Sequence, residues 1–436
     1  MTTAVITGIG VVAPTGIGAE AHWQSVLESR MGVRRISSFD PQGYATTLAG
    51  QVDGFDVEEH VDPRLVVQTD RWTWMSLAAT QLALDDAAYD PAQHDPYETS
   101  VALAAGSGGN EFGQREMTGL YSKGPRSVGA YQSIAWFYAA STGQSSIRHG
   151  TKGPASVLVT EGAGGLDSVG HARRVVRRGT PTVLAGGTEA PLSPYALTCY
   201  QTSGRLTSAE NPREAYKPFD LRAGGYAPGE GGAVLIVEDL ETARRREPPQ
   251  IYGEVAGYAA THDAHHYADP CPDPRQLVRA MQRALADAGM TADDVDLVVA
   301  DGAGVPELDA LEAAALQQVF GSRGHEPVRG GTGASSSLRV GVPVTAPHGL
   351  VGRLNVGGGA LSVATALLAM RYGVIPPVGN LDEPNPAHGL DLVQQPREAA
   401  LDVVLVNARG YGGFNTSMVL RGVADRGGKT PGDSGD

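Results

Sequence analysis

The stretch best placed to do chemistry lies between Val157 and Ser168. Val157-Leu158-Val159 is an apolar run that suits a buried strand, and Thr160-Glu161-Gly162-Ala163-Gly164-Gly165 is a turn of mostly small residues. Leu166, Val169, Ala172 and Val175 then recur at helical spacing. A strand that breaks sharply into a helix presents one side chain above the first free backbone N–H groups, which is where many α/β enzymes hold a nucleophile for acyl transfer. Here the elbow carries Gly162 and Ala163, and neither has a nucleophilic atom. Glu161 adjoins the turn and is expected to point away from it. Other candidates read as structure. Ser107, in Gly106-Ser107-Gly108-Gly109, does not fit a hydrolase elbow and reads as a loop serine. Gly8, Gly10 and Ala13 match a loose dinucleotide fingerprint, but Pro14 and Thr15 stand where its helix must begin. His262, His265 and His266 share a polar loop with no cysteine or clearly spaced acidic partner, so no metal site is expected. Cys199 and Cys271 lie at no elbow.

The elements that must hold this elbow can be read around it. A strand with a glycine turn opens the chain at 3–12, a buried helix covers 74–88, and core strands fall at 101–105, 155–159, 182–185 and 233–237. The pattern then restarts, with a strand at 251–258, a helix at 275–288 and a strand at 295–300. The helix endings Ala83-Leu84-Asp85-Asp86-Ala87 and Ala284-Leu285-Ala286-Asp287-Ala288 are alike, a sign of one α/β unit used twice. A helix is expected at 308–320, a loop at 355–359 at the foot of a helix at 360–370, and strands at 401–406 and 416–421. The expected division is 1–249, 250–424 and a disordered tail at 425–436, which is rich in glycine and aspartate. Two features near residue 120 stand apart. Asn110, Gly113 and Met117 share one helical face, and Tyr131, Ile134, Trp136, Phe137 and Tyr138 cluster at a density that suits a packed core or a subunit interface.

Bulk properties exclude several classes. A chain of 436 residues with 41% hydrophobic residues can bury a large core. A net charge of -14 argues against nucleic-acid or anionic-membrane binding, and all but four of its 34 basic residues are arginine, a compositional bias. Two cysteines make no disulfide framework, the first 20 residues have no basic leader, and no apolar run approaches the ~18 residues of a membrane span. A cytoplasmic location is the expectation.

Several separate motifs carry a resemblance over about residues 2–421. They are Val5-Ile6-Thr7-Gly8-Ile9-Gly10, the elbow, Pro218-Phe219-Asp220 with Gly229-Glu230-Gly231, and 407–415. Together they resemble the ketosynthase family of the thiolase fold, most closely the chain-length factor, or ketosynthase-beta, of bacterial type II aromatic polyketide synthases. The resemblance implies an α/β fold of two duplicated αβαβα halves, each with a mixed five-stranded sheet. It places the family's catalytic cysteine on Gly162, its two histidines on Asp301 and Arg353, and its lysine on His348. Asp309 and Glu312 keep the acidic residues that follow the first histidine. His348, Asn407, Tyr411 and Gly412 fall in what the family uses as structural loops.

Glycine forms no thioester and arginine is a permanent cation, so autonomous condensation is not expected. The resemblance implies a heterodimer with an active ketosynthase-alpha, served by an acyl carrier protein that carries phosphopantetheine, and no cofactor of the chain's own. A poly-β-ketone would run in an interface tunnel lined by Asn110, Gly113 and Met117, with Tyr131, Trp136 and Phe137 at the subunit contact. None of the three lining residues is an aromatic stopper, so a deep tunnel and a long product are expected. Two alternatives stay open: a malonyl-carrier-protein decarboxylase that primes synthesis, and a self-associating scaffold. The first lacks the glutamine that chain-length factors commonly carry at position 162.

Overall fold

The computed structural model describes residues 2–321 and 341–423; the tail expected at 425–436 lies outside the described residues. In the first half, strands β1 (Ala4–Ala13), β2 (Thr99–Ala104), β3 (Ala155–Leu158), β4 (Thr182–Glu189) and β5 (Gly231–Asp239) line up as β1-β5-β4-β2-β3. In the second, β6 (Gly253–His262), β7 (Leu297–Val299), β8 (Pro343–Thr345), β9 (Val403–Gly410) and β10 (Phe414–Arg421) line up as β6-β10-β9-β7-β8. Both halves therefore have the order first-fifth-fourth-second-third. In each, the second strand is parallel to the third and fourth, and the fifth is antiparallel to its neighbours. Two mixed five-stranded units result, and Val5 and Ile6 pair with Glu254 and Gly253 to join them edge to edge into one sheet, which the short strands Gly16–Ile17 (on β1) and Asp391–Leu392 (on β8) extend to twelve strands. The thiolase-type duplication expected from the sequence is the observed architecture.

Alternation along the strands makes the layers. On β5, Ala233, Leu235 and Val237 face the central core, whereas Val234 and Ile236 face the outer helix α1 (Arg71–Asp86). The second half repeats this: Val404 and Val406 face inward, and Val403 and Leu405 face outward, toward the layer that holds Leu277, Met281 and Leu285 of helix Arg275–Ala288. The third strand of each half feeds one central helix. In the first half this is Gly164–Arg177, and in the second it is Val356–Tyr372. The latter is buried around its whole circumference up to Ala369, as a helix between two five-stranded units must be.

Two glycine expectations need correction. The opening strand does not turn at its glycines but runs straight through Gly8 and Gly10. A Cβ at Gly10 would sit 1.9 Å from the Ala79 carbonyl oxygen, so the glycines let α1 approach the strand backbone. Likewise 355–359 is not a loop, because the helix already begins at Val356. A Cβ at Gly357 would lie 2.1 Å from the Gly231 carbonyl oxygen. A glycine run at a strand-to-helix junction looks like a loop until its packing partner is known. Asn407 is also not in a loop. It is buried within β9 and pairs with Ser417 of β10, and His348 opens the short helix His348–Val351. Tyr411 and Gly412 do lie in the turn between β9 and β10, where Gly412 has φ of 90°.

Candidate functional site

The elbow forms where β3 ends. Glu161–Ala163 is a single tight turn, and the helix at Gly164 follows directly. Asp167, in the first turn of that helix, accepts hydrogen bonds from the Thr160, Tyr258 and Thr416 hydroxyls at 2.5, 2.8 and 2.6 Å. Ser168 Oγ donates to the Ala102 carbonyl and accepts from Gly186 N, which ties the helix to the sheet. These are the residues the sequence marked only as a small-residue turn with a helical continuation.

Asp301 follows β7, Arg353 follows the short helix after β8, and Arg409 lies near the end of β9. With Gly162 after β3, all four stand at the carboxyl ends of parallel strands, the side on which open α/β sheets bind ligands. Arg353 Nη1 donates to Asp301 Oδ2 at 3.3 Å, and Nη2 donates to the Arg409 carbonyl at 2.8 Å. Arg409 N donates to Asp301 Oδ1 at 3.1 Å. His348 Nδ1 donates to the Asp301 carbonyl at 2.8 Å. Burial pushes the Asp301 carboxyl up, but Arg353, His348 and Arg409 outweigh it and hold it below its ordinary value. Burial opposes charge on Arg353 too, and Asp301 more than restores it.

The structure therefore brings Gly162, Asp301, Arg353 and His348 together. A Cβ on Gly162 would meet the Arg409 carbonyl oxygen at 2.4 Å and Arg353 Nη2 at 3.3 Å, so the space above the elbow has closed around a glycine. Glu312 receives the Asp301 and Gly302 N–H groups, and Asp309 receives those of Gly304 and Phe219. The two acids brace the 301–304 loop from below.

Beside this ion pair opens a cavity of about 450 Å³, lined among others by Glu161, Cys199, Arg205, Tyr226, Asn355 and Tyr411. Glu161 does not point away from the turn as expected. Its Oε2 accepts from Gly162 N and Tyr411 N, each at 2.6 Å. The φ of 50° at Glu161 turns the chain so that its side chain folds back over its neighbour's N–H. Its position before the elbow glycine was the only sequence signal for this.

Sequence reasoning also missed the polar floor of the cavity. Asn355 Nδ2 donates to the Tyr200 hydroxyl, and the fully buried Glu189 accepts from Gly106 N, Ser107 N and Ser107 Oγ. Asn110 Nδ2 donates to Ser107 Oγ at 2.7 Å, so the helix Asn110–Lys123 is anchored to this floor. Of its expected face, Asn110 and Gly113 are buried, with Trp136 Cδ1 3.0 Å from where a Gly113 Cβ would sit, and Met117 is exposed. Tyr131, Trp136 and Phe137 are on the surface of the isolated chain rather than in its core.

Two of the buried acids set a pH dependence. Burial pushes Glu189 up to about 7, against its hydrogen bonds from Ser107 and Gly106, and pushes Asp309 up to about 8. Each keeps its proton in the folded chain at pH values where the unfolded chain has lost it. The folded state thus binds more protons, and stability falls as pH rises from the ordinary carboxylate range to about 7 for Glu189 and about 8 for Asp309. Thermal scans should show Tm declining across this interval, and Glu189→Gln should flatten the part below about 7. A Tm independent of pH there would contradict the assignment.

Comparison with known proteins agrees with this geometry. Residues 1–243 match the family described as "Beta-ketoacyl synthase, N-terminal domain", and 252–382 match "Beta-ketoacyl synthase, C-terminal domain". The chain is 49% identical to the tetracenomycin polyketide synthase ketoacyl synthase beta subunit of Streptomyces glaucescens, over 96% of this chain and 98% of that one. Its identity to the alpha subunit of the same system is 34%, over 95% and 96%. Among solved structures it is similar to the ishigamide ketosynthase/chain length factor, with TM-score 0.86, 25% identity and coverage of 97% and 100%. It is also similar to AntDE:AntF, a type II acyl carrier protein in complex with its ketosynthase bound to the hexaketide, with TM-score 0.85, 26% identity and the same coverage. The chain belongs to the beta-ketoacyl synthase family, among the ketosynthase-beta (chain-length-factor) subunits of bacterial type II polyketide synthases.

Proposed function

We infer that this chain is the non-condensing subunit that pairs with an active ketosynthase-alpha and sets the length of a poly-β-ketone. One observation carries the silent half of this reading. Where a condensing enzyme needs a nucleophile and acid–base groups, this chain has Gly162 beneath an ion pair between the partly buried Arg353 and the buried Asp301. A glycine cannot be acylated, and a guanidinium held by a carboxylate and a carbonyl has no proton to exchange near neutral pH. The chain brings no cofactor; the phosphopantetheine belongs to the acyl carrier protein that serves the pair. Malonyl decarboxylation finds no support at the elbow, where position 162 offers no side-chain amide and His348 Nδ1 is committed to the Asp301 carbonyl.

The length-setting half rests on the surface around helix Asn110–Lys123. Met117, Tyr131, Trp136 and Phe137 are 38–55% exposed, large apolar side chains facing solvent in the isolated chain. We assign Tyr131, Trp136 and Phe137 to the subunit contact and Asn110, Gly113 and Met117 to the tunnel wall. A division near residue 250 and a cytoplasmic location belong to the same reading, the latter supported by two free thiols, Cys199 and Cys271. No helix among the described residues is long and apolar enough to cross a membrane.

Co-expression with a cysteine-bearing ketosynthase-alpha should yield a 1:1 complex by size-exclusion chromatography, and polyketide should form only from the pair. A stable homodimer that ignores the ketosynthase would refute the reading in favour of a self-associating scaffold.

A further inference from the structure

The Gly162 and Tyr411 N–H groups come from different segments, the elbow and the β9–β10 turn, yet converge on one point. Two backbone donors aimed at a single oxygen beside an elbow are the geometry that stabilises the oxyanion of an acyl group. In this chain the point is already taken by Glu161 Oε2, 2.6 Å from each nitrogen. We propose that the anion hole of this subunit is intact but self-occupied, and that the Glu161 side chain excludes from it the carbonyl oxygen of an acyl-pantetheine thioester. The proposal rests on the silent-subunit reading and adds a second cause to the silence. Loss of the nucleophile prevents a covalent bond, and the carboxylate prevents the thioester from docking at all.

Two observations and one general principle support this. The hole borders the cavity of about 450 Å³, so a ligand carbonyl has a route to it. Glu161 holds its position at φ of 50°, a backbone region that non-glycine residues seldom adopt and that surrounding contacts must enforce. A charged acceptor makes stronger bonds to N–H groups than a neutral carbonyl does, so the intramolecular carboxylate outcompetes an incoming thioester.

The test is amide hydrogen exchange on the full heterodimer, read by mass spectrometry in the peptides that contain Gly162 and Tyr411. The partner's nucleophilic cysteine is replaced by alanine so that the probe, acetyl-pantetheine, is not consumed. Both amides should be protected in the unsubstituted chain, with or without probe. Glu161→Ala should exchange at both positions at least about tenfold faster, the loss of one hydrogen bond to a charged acceptor each. Acetyl-pantetheine should restore that protection, whereas pantetheine without the acetyl group should not. Glu161→Gly, which suits a φ of 50°, should behave as Glu161→Ala even if the alanine variant folds poorly. Unchanged protection in both variants without probe, or protection that the thioester does not restore, would overturn the proposal. Pairing with the ketosynthase is measured on the same samples. Failure of the unsubstituted chain to pair overturns the subunit reading, while normal pairing with failed exchange results overturns only the self-occupied hole.

Discussion

Replacing Arg353 by alanine should destabilise the folded chain by up to about 3–5 kcal/mol, the consequence of leaving the buried Asp301 carboxylate without its cation. Asp301 is only 4% exposed, and its one remaining side-chain partner from this network would be the Arg409 N–H. Two further contacts go with the guanidinium, its bond to the Arg409 carbonyl and its place over the Tyr226 ring at 5.7 Å. Arg353→Lys keeps the charge but cannot bond Asp301 and Arg409 as a planar fork, so its loss should be smaller but real. Urea unfolding followed by tryptophan fluorescence measures both. The alanine variant's deficit should shrink at acid pH, because Asp301, without its cation, is pushed up by burial and accepts a proton more readily. A midpoint that Arg353→Ala leaves in place would mean that Asp301 is solvated and the pair contributes little.

Gly113→Phe should have the largest effect on function. The position is buried, and a Cβ there already stands 3.0 Å from Trp136 Cδ1 and 3.8 Å from Gln132 Nε2. A benzyl group has no room on this helix face unless Trp136 moves, and both outcomes narrow whatever the face lines. Overpacking of this kind commonly costs about 1–3 kcal/mol. If that penalty falls on the last extensions of the chain, the ratio of full-length to shortened polyketide should drop about fivefold or more. Met117→Trp is the companion variant. Its side chain is 38% exposed in the isolated chain, so it can enlarge without disturbing the chain's own packing. Mass spectrometry of products from the reconstituted synthase reads both. An unchanged product distribution from two well-folded, well-paired variants would remove this helix face from the tunnel wall.

Much of this was legible in the sequence, because strands and helices leave periodic marks. The restart near residue 250 and the twin helix endings pointed to the duplication, and the loss of a nucleophile at Gly162 needed only the elbow's strand-to-helix pattern. The strands and the two central helices follow from local pattern plus burial. Local pattern failed where meaning depended on a distant partner. Gly8 and Gly10 read as a turn and Gly357 as loop, because a glycine that admits a neighbouring backbone looks the same in sequence as one that bends its own. Asn407 read as loop, because its strand pairing with Ser417 is a contact and not a composition.

At the site the division is sharper. The residue types alone determined that this chain cannot form a thioester at position 162. Only the tertiary structure decided what replaced that chemistry, since Asp301 and Arg353 are 52 positions apart in sequence and 3.3 Å apart in space. It also decided where the Glu161 carboxylate goes. Its two donors come from Gly162 next door and from Tyr411 in a turn of the other half. A hydrogen bond is set by angles and distances of a few tenths of an ångström, and no pattern along one chain encodes those until both segments are folded against each other.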